Sequence, residues 1–202
     1  MKKELITTIE QIANTFISKD RKVILDVLIN HLKSKLANND SIAINFICTH
    51  NSRRSHLGQI WMQTLAAYFQ IDDITTYSGG SEATAMATQI VTTLTQQGFD
   101  IHKISEEPNP VYAIKYTVNA LPIIGFSKKY EHPYNPNSGF TAIMTCSQAD
   151  EGCPFVAGSE KRIAITYEDP KLSDGTNLEK EVYLQRSNQI AAELYYVLSQ
   201  LK

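Results

Sequence analysis

The chain has 202 residues, of which 43% are hydrophobic and 20% charged, with a formal net charge of −2 and a pI near 6.2. This length suits one α/β domain with a sizeable core, and the charge excludes a basic surface for nucleic acid or an anionic membrane. No apolar run approaches the roughly 20 residues that a membrane span needs, and polar residues interrupt the N-terminal apolar stretch. We therefore expect a cytoplasmic protein, in which three cysteines are more often reactive thiols than structural bridges.

Residues 1–40 are predicted to form a helical extension that precedes the main domain at 41–202. Its first helix has an apolar stripe from Leu5 to Ile17, and its second helix has another. The members of the second stripe are Val23, Ile24, Val27, Leu28, His31 and Leu32. The polar stretch 18–21 is the predicted turn between the helices. The extension can pack on the same chain or form a dimer contact, and packing on the same chain is favoured.

The stretch from Ser41 to Phe69 predicts a strand, a short polar loop and a helix. Its almost continuous apolar run at 42–47 is typical of a central strand in a parallel sheet. The later residues Leu57, Ile60, Trp61, Leu65 and Tyr68 recur at helical spacing. Cys48 therefore stands at the end of the strand, and Arg54 follows in the loop that leads into the helix.

This position gives Cys48 and Arg54 a predicted chemical role. A loop that feeds a helix N-terminus presents free backbone N–H groups and partial positive charge, which bind anions and favour a thiolate. The planar guanidinium of Arg54 suits bidentate contact with a tetrahedral oxyanion. We therefore interpret Cys48 as a nucleophile that attacks a phosphate-like anion. The competing interpretation is a cysteine that serves only as a small buried hydrophobe.

The middle of the chain continues the alternation of strands and helices. A second strand is predicted at Ile74 to Tyr77, then a glycine turn at 78–82 with Ser81 as a helix cap, and a helix from about 82 to 97. Alternating residues from Tyr112 predict a hairpin that ends near Ser127. This hairpin lies within a predicted insertion at about 109–139, before a strand at 140–145.

Two further cysteines, Cys146 and Cys153, follow that strand. A zinc site needs about four ligands, and no nearby histidine completes a set. A static disulfide is disfavoured by the expected compartment. The third interpretation is a resolving pair, because a loop beyond this strand lies at the same edge of the sheet as Cys48. Gly152 and the polar residues between the cysteines predict a mobile loop, and neither a metal nor a cofactor is expected.

The last strand is predicted at Arg162 to Tyr167, followed by Glu168-Asp169-Pro170 and a closing helix at 178–201. Displacing an oxygen from a phosphate-like anion requires a proton donor, and Asp169 stands where a general acid is needed. The alternative for this segment is a simple turn, which Asp-Pro favours on its own.

The loop Cys48-Thr49-His50-Asn51-Ser52-Arg53-Arg54-Ser55 resembles the phosphate-binding loop of the low-molecular-weight protein tyrosine phosphatases and the thioredoxin-coupled arsenate reductases. The pair Cys146 and Cys153, with the proline that follows, resembles the cysteine pair of the reductases, which the phosphatases lack. One departure is His50, where the family usually has a glycine, a residue with freer backbone conformations. Lys171 and Leu172 also replace the aromatic residues that many phosphatases carry after Asp-Pro.

The resemblance implies a flavodoxin-like three-layer α/β sandwich with a short, mostly parallel sheet, as in the phosphotyrosine phosphatases. It implies that the whole loop from Thr49 to Ser55 binds the oxyanion, including His50, Ser52 and Arg53. The leading hypothesis is an arsenate reductase in which Cys48, Cys146 and Cys153 relay a disulfide to thioredoxin. The alternatives are a phosphatase with a phosphocysteine intermediate and a non-catalytic oxyanion or redox sensor.

Overall fold

The structure, a computed structural model, describes all residues from 1 to 202. The helices are α1 (Lys3–Ile12), α2 (Lys19–Ala37), α3 (Arg54–Phe69), α4 (Thr88–Gln96), α5 (Ser147–Gly152) and α6 (Glu179–Ser199), with a 3-10 helix at Pro170–Ser173. The strands are β1 (Ile42–Cys48), β2 (Ile74–Gly80), β3 (Asp100–Lys103), β4 (Tyr112–Lys115), β5 (Ile123–Gly125), β6 (Phe140–Met144) and β7 (Ser159–Ala164). No helix is both long and apolar enough to cross a membrane.

The central sheet has four parallel strands in the order β2-β1-β6-β7. One face packs in the large core, together with α1, α2, α3, α4 and α6. The other face is covered by a smaller cluster that includes Ile47, Met144 and Ala149 of α5. This arrangement of helices on both faces of a parallel sheet confirms the predicted three-layer α/β fold, and it places the carboxyl ends of β1 and β6 side by side.

The predicted strand, loop and helix at 41–69 are confirmed as β1 and α3. The prediction for the next unit was partly wrong, because Gly79 and Gly80 belong to β2 and pair with Ile47 and Cys48 instead of forming a turn. Helix α4 begins only at Thr88 and has Ala87 at its N-cap position, so Ser81 does not cap it.

The segment between α4 and β6 forms a second, antiparallel sheet in the order β3-β4-β5. The predicted hairpin is confirmed by the antiparallel pairing of β4 with β5. Beyond this hairpin the chain returns to the edge of the main sheet, where Gly80 and Lys129 form an isolated parallel bridge. The second sheet therefore leads the chain to the side of the loop that follows β1.

The helical extension packs against the closing helix α6 through buried residues that include Leu5, Ile9, Leu25 and Leu28. The predicted turn at 18–21 was wrong, because α2 begins at Lys19 and the Ser18 hydroxyl caps it by accepting from the Arg21 N–H. The predicted stripe on α2 was partly wrong: Val23, Ile24 and Val27 are exposed, whereas Leu28 and Leu32 are buried as predicted. Leu25 and Ile29, outside the predicted stripe, complete the buried face.

Candidate active site

The candidate nucleophile Cys48 ends β1 and is 3% exposed. Its Sγ lies 3.1 Å from the Ser55 Oγ in the first turn of α3. The Asn51 amide donates to that same Ser55 Oγ over 2.9 Å, so the serine's own hydrogen remains free for the sulfur. Because the Asn51 Oδ1 also accepts from the Lys128 backbone N–H at 2.8 Å, the side chain of Asn51 is held at both ends. Ser55 is thereby oriented to donate a hydrogen bond to a Cys48 thiolate.

The turn of the loop depends on Asn51, which is fully buried and has a φ of 43°. Asparagine adopts the left-handed region more readily than most residues with a side chain. His50, the position where the related families usually have glycine, is not among the residues with positive φ. The replacement of glycine by His50 therefore does not require a left-handed conformation at that residue.

Gly80, the last residue of β2, packs closely against the backbone of the loop. The sequence did not predict this contact. A side-chain carbon at Gly80 would stand 2.6 Å from the Thr49 carbonyl oxygen and 2.7 Å from the Asn51 backbone nitrogen. Two residues after Gly80, the Glu82 N–H donates to the same Thr49 oxygen over 2.8 Å. Only a glycine permits this approach of two backbones.

Arg54 and Asp169, the predicted anion ligand and general acid, are in direct contact. The Arg54 Nη2 donates to the Asp169 Oδ2 over 2.7 Å, and its Nη1 donates to the Tyr167 carbonyl over 2.9 Å. The Arg54 Nε is buried without a hydrogen-bond partner, so its N–H is free to donate to a ligand oxygen. The structure thus brings Cys48, Arg54 and Asp169 to one cup at the edge of the sheet.

The cup is narrow in this conformation. Its volume, measured as the space open to the centre of a water molecule, is about 10 Å³. The residues that line it are Cys48, His50, Ser52, Arg53, Arg54 and Asp169. This volume is close to the minimum for one water molecule. A tetraoxo anion can enter only if the Asp169 carboxylate moves away from Arg54.

Arg53 lines the cup, where its Nε lies 4.0 Å from the Asp169 Oδ1, and its guanidinium also contacts α6 and the segment after Asp169. The Arg53 Nε donates to the Tyr183 hydroxyl over 2.8 Å, and that hydroxyl donates to Asp174 over 2.7 Å. Burial and the hydrogen bond to Asp174 raise the pKa of Tyr183 to about 12, which keeps the phenol protonated. Arg53 therefore ties the loop to α6 and to the segment after Asp169.

All three cysteines are free thiols, and all three belong to one cluster on the same face of the sheet. Cys48 and Cys146 are buried, and Cys153 is partly exposed. The Cys146 Sγ lies 3.5 Å from the Thr49 Oγ1, in the residue next to the candidate nucleophile. The fold thus gathers the three sulfur-bearing residues beside the cup.

The segment between Cys146 and Cys153 is helix α5 and not the predicted loop. The Cys146 sulfur caps the helix by accepting from the Ala149 N–H at 3.4 Å. At the other end the Arg162 Nε donates to the Cys153 carbonyl over 3.0 Å, and the same guanidinium binds Asp150. Ala149 is the one buried residue of the helix, so few apolar contacts stabilise it.

Two titratable residues next to the cup gave no signal in the sequence. The Lys128 side chain is buried, with its Nζ 4.4 Å from the centre of the Phe126 ring, and burial lowers its pKa to about 7. Burial and the nearby Lys128 charge lower the pKa of His56 to about 3. His56 is therefore neutral at physiological pH, and neither residue has a carboxylate partner.

Comparisons with known proteins agree with this site and fold. No family model matches the chain. An arsenate reductase from Bacillus licheniformis is 27% identical over 143 residues, which cover 71% of this chain and 84% of that protein. A low-molecular-weight phosphotyrosine phosphatase from Vibrio cholerae has a TM-score of 0.53 and 11% identity, over 78% of this chain and 94% of its own. An arsenate reductase in the phosphate-binding state has a TM-score of 0.50 and 18% identity, over 80% of this chain and 99% of its own.

The solved structures confirm the predicted fold, which arsenate reductases and low-molecular-weight phosphatases share. The sequence relatives, which are named arsenate reductases, confirm the predicted resemblance to that group. All the relatives described above are named as enzymes of the two predicted kinds.

Proposed function

We propose that this chain, which resembles arsenate reductases and low-molecular-weight phosphatases, is an arsenate reductase of the thioredoxin-coupled type. The observation that carries the proposal is the grouping of Cys48, Cys146 and Cys153 in one cluster beside the cup that holds Arg54. A phosphatase needs only the first of these thiols. A reductase needs two electrons from the protein, and a pair of thiols that become a disulfide supplies them.

In the first step the Cys48 thiolate attacks the arsenic atom of arsenate. The loop amides and Arg54 hold the other oxygens, after the oxyanion has taken the place of the Asp169 carboxylate on Arg54. Asp169 acts as the general acid and delivers a proton to the departing oxygen, which leaves as water. The product is a thioester-like adduct in which Cys48 is bonded to As(V).

In the second step the Cys146 thiolate attacks the Cys48 sulfur. A sulfur–sulfur bond forms and the sulfur–arsenic bond breaks, with its electron pair going to arsenic, which leaves as arsenite. In the third step Cys153 attacks the Cys146 sulfur, and Cys48 departs as a thiolate that is ready for another turnover. The resulting Cys146–Cys153 disulfide is returned to two thiols by an external dithiol.

The third step requires a rearrangement of α5. Cys146 and Cys153 stand at opposite ends of this helix, and at about 1.5 Å per residue their Cα atoms are roughly 10 Å apart. A disulfide joins Cα atoms that are at most about 7 Å apart. Helix α5 must therefore unwind, and release of Arg162 from Asp150 and the Cys153 carbonyl is part of that change. Cys153 is partly exposed, which suits reduction of the final disulfide by thioredoxin in the cytoplasm.

The second candidate function is a low-molecular-weight phosphatase. In its favour, Cys48, Arg54 and Asp169 all line the same cup, whereas Cys146 and Cys153 do not. The same attack on a phosphomonoester would give a phosphocysteine, which water then hydrolyses. Cys146 and Cys153 would have no part in this reaction.

Replacement of Cys146 by serine separates the two functions. We expect Cys146→Ser to retain hydrolysis of an aryl phosphate and to lose repeated arsenate reduction with thioredoxin and its reductase. Cys48→Ser is the matched control and should lose both. Repeated arsenate reduction by Cys146→Ser would refute the relay, and a wild-type protein that turns over neither substrate would favour an oxyanion or redox sensor.

A further inference from the structure

We propose that Arg21, on α2 of the helical extension, is a positioning residue for the cup, and that it acts through Tyr167. Its effect on turnover rests on the proposed function, whereas its effect on the order of the segment around Tyr167 does not. The inference gives the first forty residues a role in the site that neither motif of the sequence assigns to them.

The contacts of Arg21 join the extension to α6 and to the segment that follows β7. Its Nε and Nη2 donate to the two carboxylate oxygens of Glu193 over 3.0 and 2.8 Å. The guanidinium carbon lies 4.8 Å from the centre of the Tyr167 ring. Glu193 is 3% exposed and Tyr167 is 7% exposed, so the charges and the ring meet where solvent screens them little.

Tyr167 in turn holds Arg54. Its backbone carbonyl accepts from the Arg54 Nη1 over 2.9 Å, and the other terminal nitrogen of Arg54 binds Asp169, two residues further along. Both anchors of the Arg54 guanidinium are therefore on the segment 167–169. The Tyr167 carbonyl is the anchor that remains when an oxyanion takes the place of Asp169, so a shift of the Tyr167 ring would misplace the guanidinium in the oxyanion-bound state.

This segment has little other support from the sheet. Strand β7 ends at Ala164. Beyond it, the Ile165 N–H donates to the Met144 carbonyl over 3.0 Å and the Tyr167 N–H donates to the Thr145 carbonyl over 3.1 Å. Three side chains of the segment add anchors: Glu168, itself 88% exposed, pairs with Arg186 at 3.2 Å, Asp169 pairs with Arg54, and the buried Tyr167 ring packs against Arg21. Of these, only the Tyr167 contact is both buried and outside the cup. Burial and the adjacent Glu193 raise the pKa of Tyr167, so the phenol stays neutral and can donate to the carboxylate.

The chain contains a matched control in the residue after Arg21. Lys22 is also a cation on α2 and lies 4.8 Å from the centre of the Tyr196 ring on α6. It therefore contributes the same kind of contact between the extension and α6, but it has no connection to the segment 167–169. A variant at Lys22 therefore measures the effect of weakening the contact between the extension and α6 without changing the contacts of the segment 167–169.

The experiment compares Arg21→Ala, Arg21→Lys, Glu193→Gln and Lys22→Ala in the full chain. Hydrogen exchange of residues 165–169, the inhibition constant of inorganic phosphate and the turnover of an aryl phosphate are measured for each. For Arg21→Ala we expect faster exchange in that segment, with phosphate affinity and turnover each lower by about tenfold, since small misplacements of a binding group cost up to about 10². Arg21→Lys should restore part of the loss, and Lys22→Ala should match the wild type.

Wild-type exchange at 165–169 together with unchanged phosphate inhibition in Arg21→Ala would overturn the inference, as would equal effects in Lys22→Ala. If Arg21→Ala does not fold, Glu193→Gln decides, because it keeps the side-chain volume and removes the charge that holds Arg21. If the wild type neither binds phosphate nor turns over, the proposed function fails, and hydrogen exchange alone still decides the role of Arg21.

Discussion

The contact between Asp169 and Arg54 leads to a prediction with opposite effects on binding and on turnover. In Asp169→Asn the negative charge that occupies Arg54 is removed. Asparagine can still cap the 3-10 helix, where the Asp169 Oδ1 now accepts from the Lys171 N–H at 3.1 Å, because asparagine and aspartate cap helices about equally well. The variant should therefore fold as the wild type does.

The magnitude follows from the geometry of the pair. Two unit charges about 4 Å apart interact by about 4 kcal/mol at an effective dielectric constant near 20. The Asp169 side chain is 28% exposed and that of Arg54 is 9% exposed, so solvent reduces this value to about 1–2 kcal/mol. An entering oxyanion must break the pair, and its removal should tighten phosphate binding by about tenfold. Loss of the general acid should slow turnover by about 10² to 10⁴.

The assay measures phosphate affinity by calorimetry and aryl phosphate turnover in the same preparations. The control is Asp174→Asn, which removes a carboxylate bound to Arg53 and should leave phosphate affinity within about twofold. Weaker phosphate binding in Asp169→Asn would refute the reasoning, because the carboxylate would then assist the oxyanion instead of competing with it. Unchanged turnover would remove Asp169 from the role of general acid.

Three further predictions concern groups around the cup. Ser55→Ala removes the hydroxyl that faces the Cys48 sulfur, so alkylation of this thiol by iodoacetamide at neutral pH should slow by about tenfold or more, and an unchanged rate would contradict the hydrogen bond. Gly80→Ala pushes a carbon against two loop backbones and should weaken phosphate binding at least about tenfold, whereas Gly152→Ala, with open space around it, should not. Lys128 has its pKa lowered from 10.5 to about 7, so the penalty of burying its charge is complete below about pH 7 and is lost toward pH 10.5. The free energy of unfolding of the wild type should therefore rise by about 2 kcal/mol relative to Lys128→Met between about pH 6 and 9, and a constant difference would refute this assignment.

Much of the site could be predicted from the sequence because its information is local. The apolar run before Cys48 and the helical spacing after Ser55 define a strand, a loop and a helix within one continuous segment. The position of a residue at the carboxyl end of a parallel strand then determines the edge of the sheet at which it lies. This reasoning also placed Cys146 and Asp169 at that edge.

Other features depend on contacts between distant residues, and local pattern could not predict them. Gly79 and Gly80 read as a turn, yet they extend β2, because pairing with β1 and the close approach of Lys129 decide their conformation. The polar residues between Cys146 and Cys153 predict a loop, but they form a helix. Arg162 from a neighbouring strand stabilises its end by donating to the Cys153 carbonyl.

The sequence by itself determined the class of fold, the candidate nucleophile and the candidate residues for oxyanion binding, since these follow from hydrophobic periodicity and from residues adjacent in the chain. Only the tertiary structure decided which charges meet. In the folded chain Arg54 donates to Asp169, and Arg53 donates to the Tyr183 hydroxyl. Arg21 of the extension lies over the ring of Tyr167. The physical reason is that electrostatic and hydrogen-bond energies depend on distances between groups far apart in the chain, and the packing of helices on the sheet sets those distances.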